Sequence, residues 1–254
     1  MAIAGKHSEI GVIFDFDGTL WDSFKYRKLA DIEVASILAE YAKKQGCKID
    51  KKVIVSLISD IENEMSARLN YDRKAWFSEA ITRYNEPTLK VANKILNKAV
   101  LSYWKNVIKN SFPYPGAADL LSSLKAKGIR LGMLSDTDGL DRMKYQRLSA
   151  SGLIKFFDAV VVSGEDTKET KPDIEPFIRI CTLLGIAPDS CVYVGDNPLV
   201  DIAGAKQIGM KTILIRNSSA DPKEAKFKAD CILVRENFNE LESLILNLLQ
   251  IDSH

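Results

Sequence analysis

The chain has 254 residues, 46% of them hydrophobic and 27% charged, with a formal net charge of +1. That describes a globular protein of one large or two unequal domains, and so small a charge excludes a whole-chain attraction to nucleic acid or a membrane surface. No apolar run reaches the ~18 residues of a membrane-crossing helix, residues 1–9 hold no apolar signal segment, and Cys47, Cys181, Cys191 and Cys231 are too scattered for a Cys-x-x-Cys zinc site. The expectation is a cytoplasmic protein with reduced thiols.

Asp15-Phe16-Asp17-Gly18-Thr19 directly follows the short apolar run Ile10–Phe14. Two carboxylates therefore stand at the carboxyl end of a buried strand, where open α/β sheets bind their ligands. Such close carboxylates repel unless a proton or a cation separates them. Mg²⁺ favours carboxylate and phosphate oxygens. Taken alone, the string also fits an ordinary turn after a strand.

From about Asp22 to Lys109 the pattern is helical, with no convincing strand. One apolar stripe takes in Leu29, Ile32, Val34, Ile37, Leu38 and Tyr41. A second takes in Val53, Ile54, Leu57, Ile58, Ile61 and Met65, and a third runs through Ile95, Leu96, Ala99, Val100, Tyr103, Trp104, Val107 and Ile108. Asp50 is expected to cap the second helix and Pro87 to open the third stripe. These stripes read as core rather than as a cofactor box. Residues 22–112 carry 17 Lys+Arg against 11 Asp+Glu, a net of +6, and the remainder carries 18 against 23, a net of −5. An acidic metal-binding part beside a basic part suits an anionic substrate, although surface lysines also fall unevenly without a ligand.

Phe112-Pro113-Tyr114-Pro115-Gly116 breaks the helical pattern. Beyond it the short apolar runs Ile129–Leu134, Ala159–Val162, Cys191–Val194, Thr212–Ile215 and Cys231–Val234 alternate with helical stretches such as Ala117–Lys127 and Glu175–Leu184. The alternation predicts an α/β fold, a doubly wound parallel sheet covered by helices on both faces. The first strand belongs to that sheet. The expected organisation is an α/β domain of residues 1–20 and 113–254, with an inserted helical domain of residues 21–112.

Three later runs lead to groups suited to one task. Ile129–Leu134 leads to Ser135-Asp136-Thr137, whose hydroxyl and amides can hold phosphate oxygens, although Ser-Asp is also a good helix-capping pair. After Ala159–Val162 comes Thr170-Lys171-Pro172-Asp173, where a lysine before a helix start can neutralise an anion. Cys191–Val194 ends in Gly195-Asp196-Asn197-Pro198-Leu199-Val200-Asp201, a second acidic cluster. Singly, each also fits a turn, a cap or a solvated charge.

Together and in this order the four features resemble the haloacid dehalogenase (HAD) superfamily, whose motifs are an Asp-x-Asp-x-Thr loop, a Ser/Thr, a Lys and a Gly-Asp…Asp pattern. Asp15, Asp17 and Thr19 match the first, Ser135 the second, Lys171 the third, and Gly195, Asp196 and Asp201 the fourth. The resemblance covers residues 8–20 and 113–235. The inserted helices look like the cap typed C1, and the string from Phe14 through Ser23 looks like the opening of phosphoglycolate-phosphatase-like members.

The resemblance implies a Mg²⁺-dependent phosphatase for a small soluble phosphate monoester, with an aspartyl-phosphate on Asp15. Asp17 would be general acid and then base, its main-chain carbonyl also binding the metal. Asp15 and Asp196 would be carboxylate ligands, and Asp201 would bind or orient a water on the metal. Ser135 and Lys171 would hold the phosphoryl group. The phosphate-binding set would extend to Gly18, which permits a close backbone approach, and to position 136. Thr19 would buttress the loop. Many relatives have Asn or Gly where Asp136 stands. An extra acid is unhelpful beside phosphate, so its carboxyl is expected to point away or cap a helix.

By the same resemblance the cap would cover the site and select the leaving group. Trp21, Lys25 and Arg27, and further Arg68, Arg73 and Lys74, are gate candidates, although each charge alone also reads as solvated surface. A phosphomutase or phosphotransferase remains an alternative. A dehalogenase would usually lack Asp17, and an idle binding protein would not keep Asp15, Asp17, Lys171 and Asp196. The expected assembly is a monomer or homodimer.

Overall fold

The computed structural model describes residues 10–23, 25–68, 70–84, 89–217 and 228–251. In chain order its main elements are β1 (Gly11–Phe14), α1 (Arg27–Lys44), α2 (Lys51–Ala67), α3 (Arg73–Arg83) and α4 (Asn93–Asn110). There follow α5 (Ala117–Ala126), β2 (Arg130–Asp136), α6 (Met143–Ser151), β3 (Ala159–Ser163), α7 (Ile174–Leu184) and β4 (Cys191–Gly195). The last are α8 (Ala203–Gln207), β5 (Lys211–Arg216), β6 (Cys231–Val234) and α9 (Leu241–Leu249). The chain forms two compact units, one of residues 1–22, 113–136 and 151–254, the other of residues 23–112 and 137–150.

The first unit is α/β. Its strands lie parallel in the order β3-β2-β1-β4-β5-β6. Gly11–Phe14 pairs with Arg130–Met133 on one side and Cys191–Val194 on the other. The connections diverge from β1 in both directions, and its carboxyl end is the switch point at which such sheets hold ligands. The central strands are buried on both faces, so each reads as a nearly continuous apolar run. α7 and α8 cover the face bearing Ile13 and Tyr193 through Phe177, Ile180, Leu184 and Ala205. α5 and α9 flank the sheet and are joined by Ser123 Oγ donating to Glu242 Oε1 at 2.6 Å.

The second unit is helical. Val34, Leu38, Ile54, Ile58, Trp76, Phe77, Val100, Tyr103 and Val107 from α1–α4 share one core with Met143 of α6. Asp50 caps α2, its Oδ1 accepting from Lys52 N at 2.8 Å, as its position predicts. α1 keeps part of the expected stripe, with Val34 and Leu38 buried and Ile37 and Tyr41 packed against the core, but not its start. Leu29 and Ile32 are 49% and 48% exposed, whereas Ala30, Asp31, Val34, Ala35 and Leu38 are buried. The acidic residue Asp31 lies on that inner face and breaks up its apolar pattern. α3 follows a polar turn capped by Asp72 (Lys74 N to Asp72 Oδ1, 2.9 Å) and buries Trp76, Phe77, Ala80 and Ile81 on one face. Residues 137–150, which the sequence alone groups with the sheet, lie in the helical unit. There Trp104 Nε1 donates to Asp138 O at 3.0 Å, and Asp138 pairs with Arg147 and Lys144 at 2.8 and 2.9 Å. Pro87 lies outside the described residues. No described helix is long and apolar enough to cross a membrane.

Candidate active site

The loop after β1 is a tight turn closed by its own backbone. Asp15 N donates to Val194 O at 2.9 Å, which carries the β1–β4 pairing one residue beyond the strand. The amides of Leu20 and Trp21 both reach Phe16 O at 3.0 Å, and Gly18 N reaches Trp21 O at 2.9 Å. Gly18 has φ +79°, a left-handed conformation that favours glycine. The buried Phe16 and Trp21 rings stack at 5.6 Å. Trp21 is thus a loop anchor rather than an exposed gate residue. Asp15 is buried, Asp17 is half-buried, and Thr19 is fully buried with no hydrogen-bond partner for its Oγ1 among the described residues.

Lys171 lies at the centre of the carboxylates and is only 2% exposed. Its Nζ donates to Asp15 Oδ1 at 2.8 Å, to Asp201 Oδ1 at 2.7 Å and to Tyr193 OH at 3.3 Å. Burial works against its charge, but Asp15 and Asp201 outweigh burial and hold the ammonium well above its ordinary value. The Asp136 carboxyl neither points away nor caps a helix. Its Oδ1 accepts from Lys171 N at 3.0 Å and from Ser163 Oγ, and its Oδ2 lies 3.8 Å from Lys171 Nζ. Asp136 therefore fastens the lysine segment to the end of β2. Ser135 is buried one residue earlier, paired in the sheet with Val162.

Asp201 organises the loop after β4. Its Oδ2 accepts from the amides of Asp196 (3.2 Å) and Asn197 (3.0 Å), and its Oδ1 accepts from Lys171 and from Tyr193 OH (3.1 Å). Both carboxylate oxygens are therefore engaged by protein donors. Asn197 Oδ1 caps a π turn, Pro198–Ile202, by accepting from Leu199 N and Val200 N at 3.0 and 3.2 Å. One carboxylate oxygen each from Asp15, Asp196 and Asp201 falls within 4.8 Å of the others. Burial raises the Asp15 carboxyl to about 7, with Lys171 pulling it down and Asp201 pushing it up. Burial, then the charges of Asp15 and Asp201, raise Asp196 well above the carboxylate range. One ammonium faces three acids, so their ionised forms carry a net negative charge that Lys171 alone does not balance. Hard oxygen donors carrying surplus negative charge fit a divalent cation.

Sequence reasoning missed two contributors. Tyr193 sits mid-strand in β4, and Leu134 O, 3.2 Å from its hydroxyl, is a second acceptor for the one proton it offers to Asp201. A tyrosine inside a fully buried strand is a signal in itself, because its hydroxyl requires a partner. Arg235, the residue after β6, donates from Nη2 to Gly18 O across 217 positions of sequence, a distance at which no local pattern exists. The charged gate candidates lie in the helical unit. Lys25 and Arg68 are exposed and Lys74 is half-buried. Arg27 pairs with Glu62 at 3.0 Å, and Arg73 is buried with its guanidinium 4.3–4.8 Å from the Trp76, Tyr103 and Trp104 rings.

The family model of haloacid dehalogenase-like hydrolases matches residues 11–209. The chain is similar to the glyceraldehyde 3-phosphate phosphatase of Methanocaldococcus jannaschii, at 26% identity over 238 residues, 94% of this chain and 97% of that protein. It is also similar to the phosphoglycolate phosphatase of Escherichia coli, at 29% identity over 209 residues, 80% of this chain and 79% of that one. Among solved structures it shares its fold with an HAD phosphatase from Thermococcus onnurineus, with a TM-score of 0.64 and 23% identity over 91% of this chain and 97% of that one.

Proposed function

We propose that this chain, which belongs to the haloacid dehalogenase-like hydrolase family, hydrolyses a small soluble phosphate monoester with Asp15 as the nucleophile. The observation that carries this reading is the buried contact of Lys171 Nζ with Asp15 Oδ1 at 2.8 Å, beside the Asp196 and Asp201 carboxylates. An Asp15 oxygen attacks phosphorus, and the bond to the ester oxygen breaks, leaving an aspartyl-phosphate. Lys171 offsets the charge that grows on the phosphoryl oxygens, and the Ser135 hydroxyl holds one of them. Asp17 gives its proton to the departing alkoxide. It then takes a proton from the water that attacks the intermediate, which frees phosphate and restores Asp15.

Asp15, Asp196 and the main-chain carbonyl of Asp17 would hold Mg²⁺, with Asp201 ordering their surroundings. When bound, the ion would neutralise the phosphate and carboxylate charges that otherwise repel each other. The inserted helical unit is read as a C1-type cap. The named activities of the relatives support short phosphorylated aldehydes and acids as the first substrates to try. The reading is of a cytoplasmic enzyme with a small-molecule partner.

Steady-state phosphate release across a panel of such esters, with Mg²⁺ and with EDTA, tests it. Release from one or a few compounds, abolished by Asp15→Asn and by chelation and restored by Mg²⁺, is expected. Undiminished turnover in Asp15→Asn, or turnover that ignores chelation, would overturn it.

A further inference from the structure

We infer that Arg235 is a positioning residue for the Asp15–Thr19 loop, reaching it from the far edge strand of the sheet. β6 ends the order β1-β4-β5-β6, so Arg235 starts three strands away from the loop. A basic residue at such a rim is normally solvated. Here the guanidinium turns inward and engages three separate segments. Nη2 donates to Gly18 O, Nε donates to Asn217 Oδ1 at 3.0 Å, and the guanidinium carbon lies 4.2 Å from the centre of the Tyr114 ring. Tyr114 is itself tied to the loop, since its amide donates to Leu20 O at 2.9 Å. Gly18, Leu20, Tyr114 and Arg235 thus close a ring of contacts around the back of the turn that carries Asp17.

The planar fork explains why arginine is used. One rigid plane stacks on an aromatic face while its in-plane donors reach two separate segments, whereas an ammonium is a compact point charge with no plane to stack. Its remaining nitrogen, Nη1, is buried and has no hydrogen-bond partner among the described residues, so the side chain is held for the contacts it does make. Its charge also acts on Asp196, drawing that carboxyl down against burial and its acidic neighbours. A loop that must hold an acid–base group to within about an ångström loses up to about 10²-fold in rate when it loosens. Arg235 touches no reacting atom and acts through the Gly18 carbonyl.

The kinetic arm of the test rests on the phosphatase reading; the exchange arm does not. Arg235→Ala and Arg235→Lys are compared with wild type by kcat and KM for the best ester, and by amide hydrogen exchange of the segment from Asp15 to Trp21. Arg235→Ala is expected to lower kcat about 10–100-fold with KM within a few-fold. Exchange in the loop should quicken while α7 stays protected, millimolar guanidinium should restore part of kcat, and Arg235→Lys should stay well below wild type. Wild-type kcat and wild-type loop exchange in Arg235→Ala would overturn the inference. So would full activity in Arg235→Lys, or quickened exchange throughout the sheet with no rescue, which marks a merely structural role. If wild-type protein hydrolyses nothing in the panel, the phosphatase reading fails, and loop exchange alone decides the place of Arg235.

Discussion

Gly195 and Asp201 approach so closely that a Cβ added to Gly195 would stand 2.5 Å from the Cβ, Cγ and Oδ2 of Asp201. Side-chain carbons do not pack at that distance, so any larger residue at 195 must displace Asp201. That acid holds the Asp196 and Asn197 amides, Lys171 Nζ and the Tyr193 hydroxyl. Gly195→Ala is therefore expected to shift the whole loop while deleting no charged group. Turnover should fall by about 10²-fold, the scale of an ångström misplacement. Stability should fall by about 1–3 kcal/mol from overpacking. Phosphate release and urea denaturation check both; wild-type turnover would show that the placement of Asp201 does not matter to the chemistry.

Asp15 and Lys171 should respond to substitution in opposite directions. Lys171→Met leaves Asp15 and Asp201 buried without their shared cation, and losing one partner of a buried pair typically costs about 3–5 kcal/mol. Asp15→Asn instead removes a carboxylate that burial and Asp201 disfavour, while Lys171 keeps Asp201. Both variants should be inactive. In EDTA at pH 8, Asp15→Asn should melt above wild type and Lys171→Met below it. A melting temperature for Asp15→Asn below wild type would contradict the idea that the acid cluster is strained without a cation.

The same surplus charge predicts that Mg²⁺ stabilises the fold. At a free concentration of 100 Kd, binding to the native state alone adds about 2.7 kcal/mol. In a chain of this size that is a rise of roughly 5–10 °C in melting temperature. Asp196→Asn should remove most of the rise, because it takes one of the three clustered carboxylates. Thermal scans with and without Mg²⁺ decide this, and an equal rise in the variant would place the ion elsewhere.

The strands and their polar ends were legible in the sequence for a physical reason. A strand buried on both faces has little room for polarity until it leaves the sheet. Parallel strands share one direction, so Asp15, Ser135 and Asp196 stand at one rim. Lys171 was legible as a lysine before a helix. Its bonds to Asp15 and Asp201, 156 and 30 positions away, were not, because ion pairs over such separations leave no local pattern. The Asp136 carboxyl was misjudged for the same reason, since the groups that hold it come from the β3–α7 segment. In α1, apolarity favoured Leu29 and Ile32, yet the buried position belongs to Asp31, whose neighbouring charges come from α2 and α3 as well as its own helix.

Asp31 should make stability depend on pH. It is 4% exposed, and its Oδ1 has no hydrogen-bond partner among the described residues. Burial, then the charge of Glu62, raise its carboxyl from 3.8 to about 7, while Arg73 and Arg27 pull it down. Between those values the folded protein keeps a proton that the unfolded chain has released. Stability therefore falls as pH rises through this window. At 1.36 kcal/mol per pH unit the full effect is about 4 kcal/mol, of which about 3 kcal/mol falls between pH 5 and 8. Asp31→Asn has no such proton to lose. Its stability at pH 8 should approach its stability at pH 5 more closely than in wild type, by about 2–3 kcal/mol. Urea denaturation of both proteins at the two pH values measures the difference, and parallel pH dependences would mean that Asp31 is charged in the fold throughout.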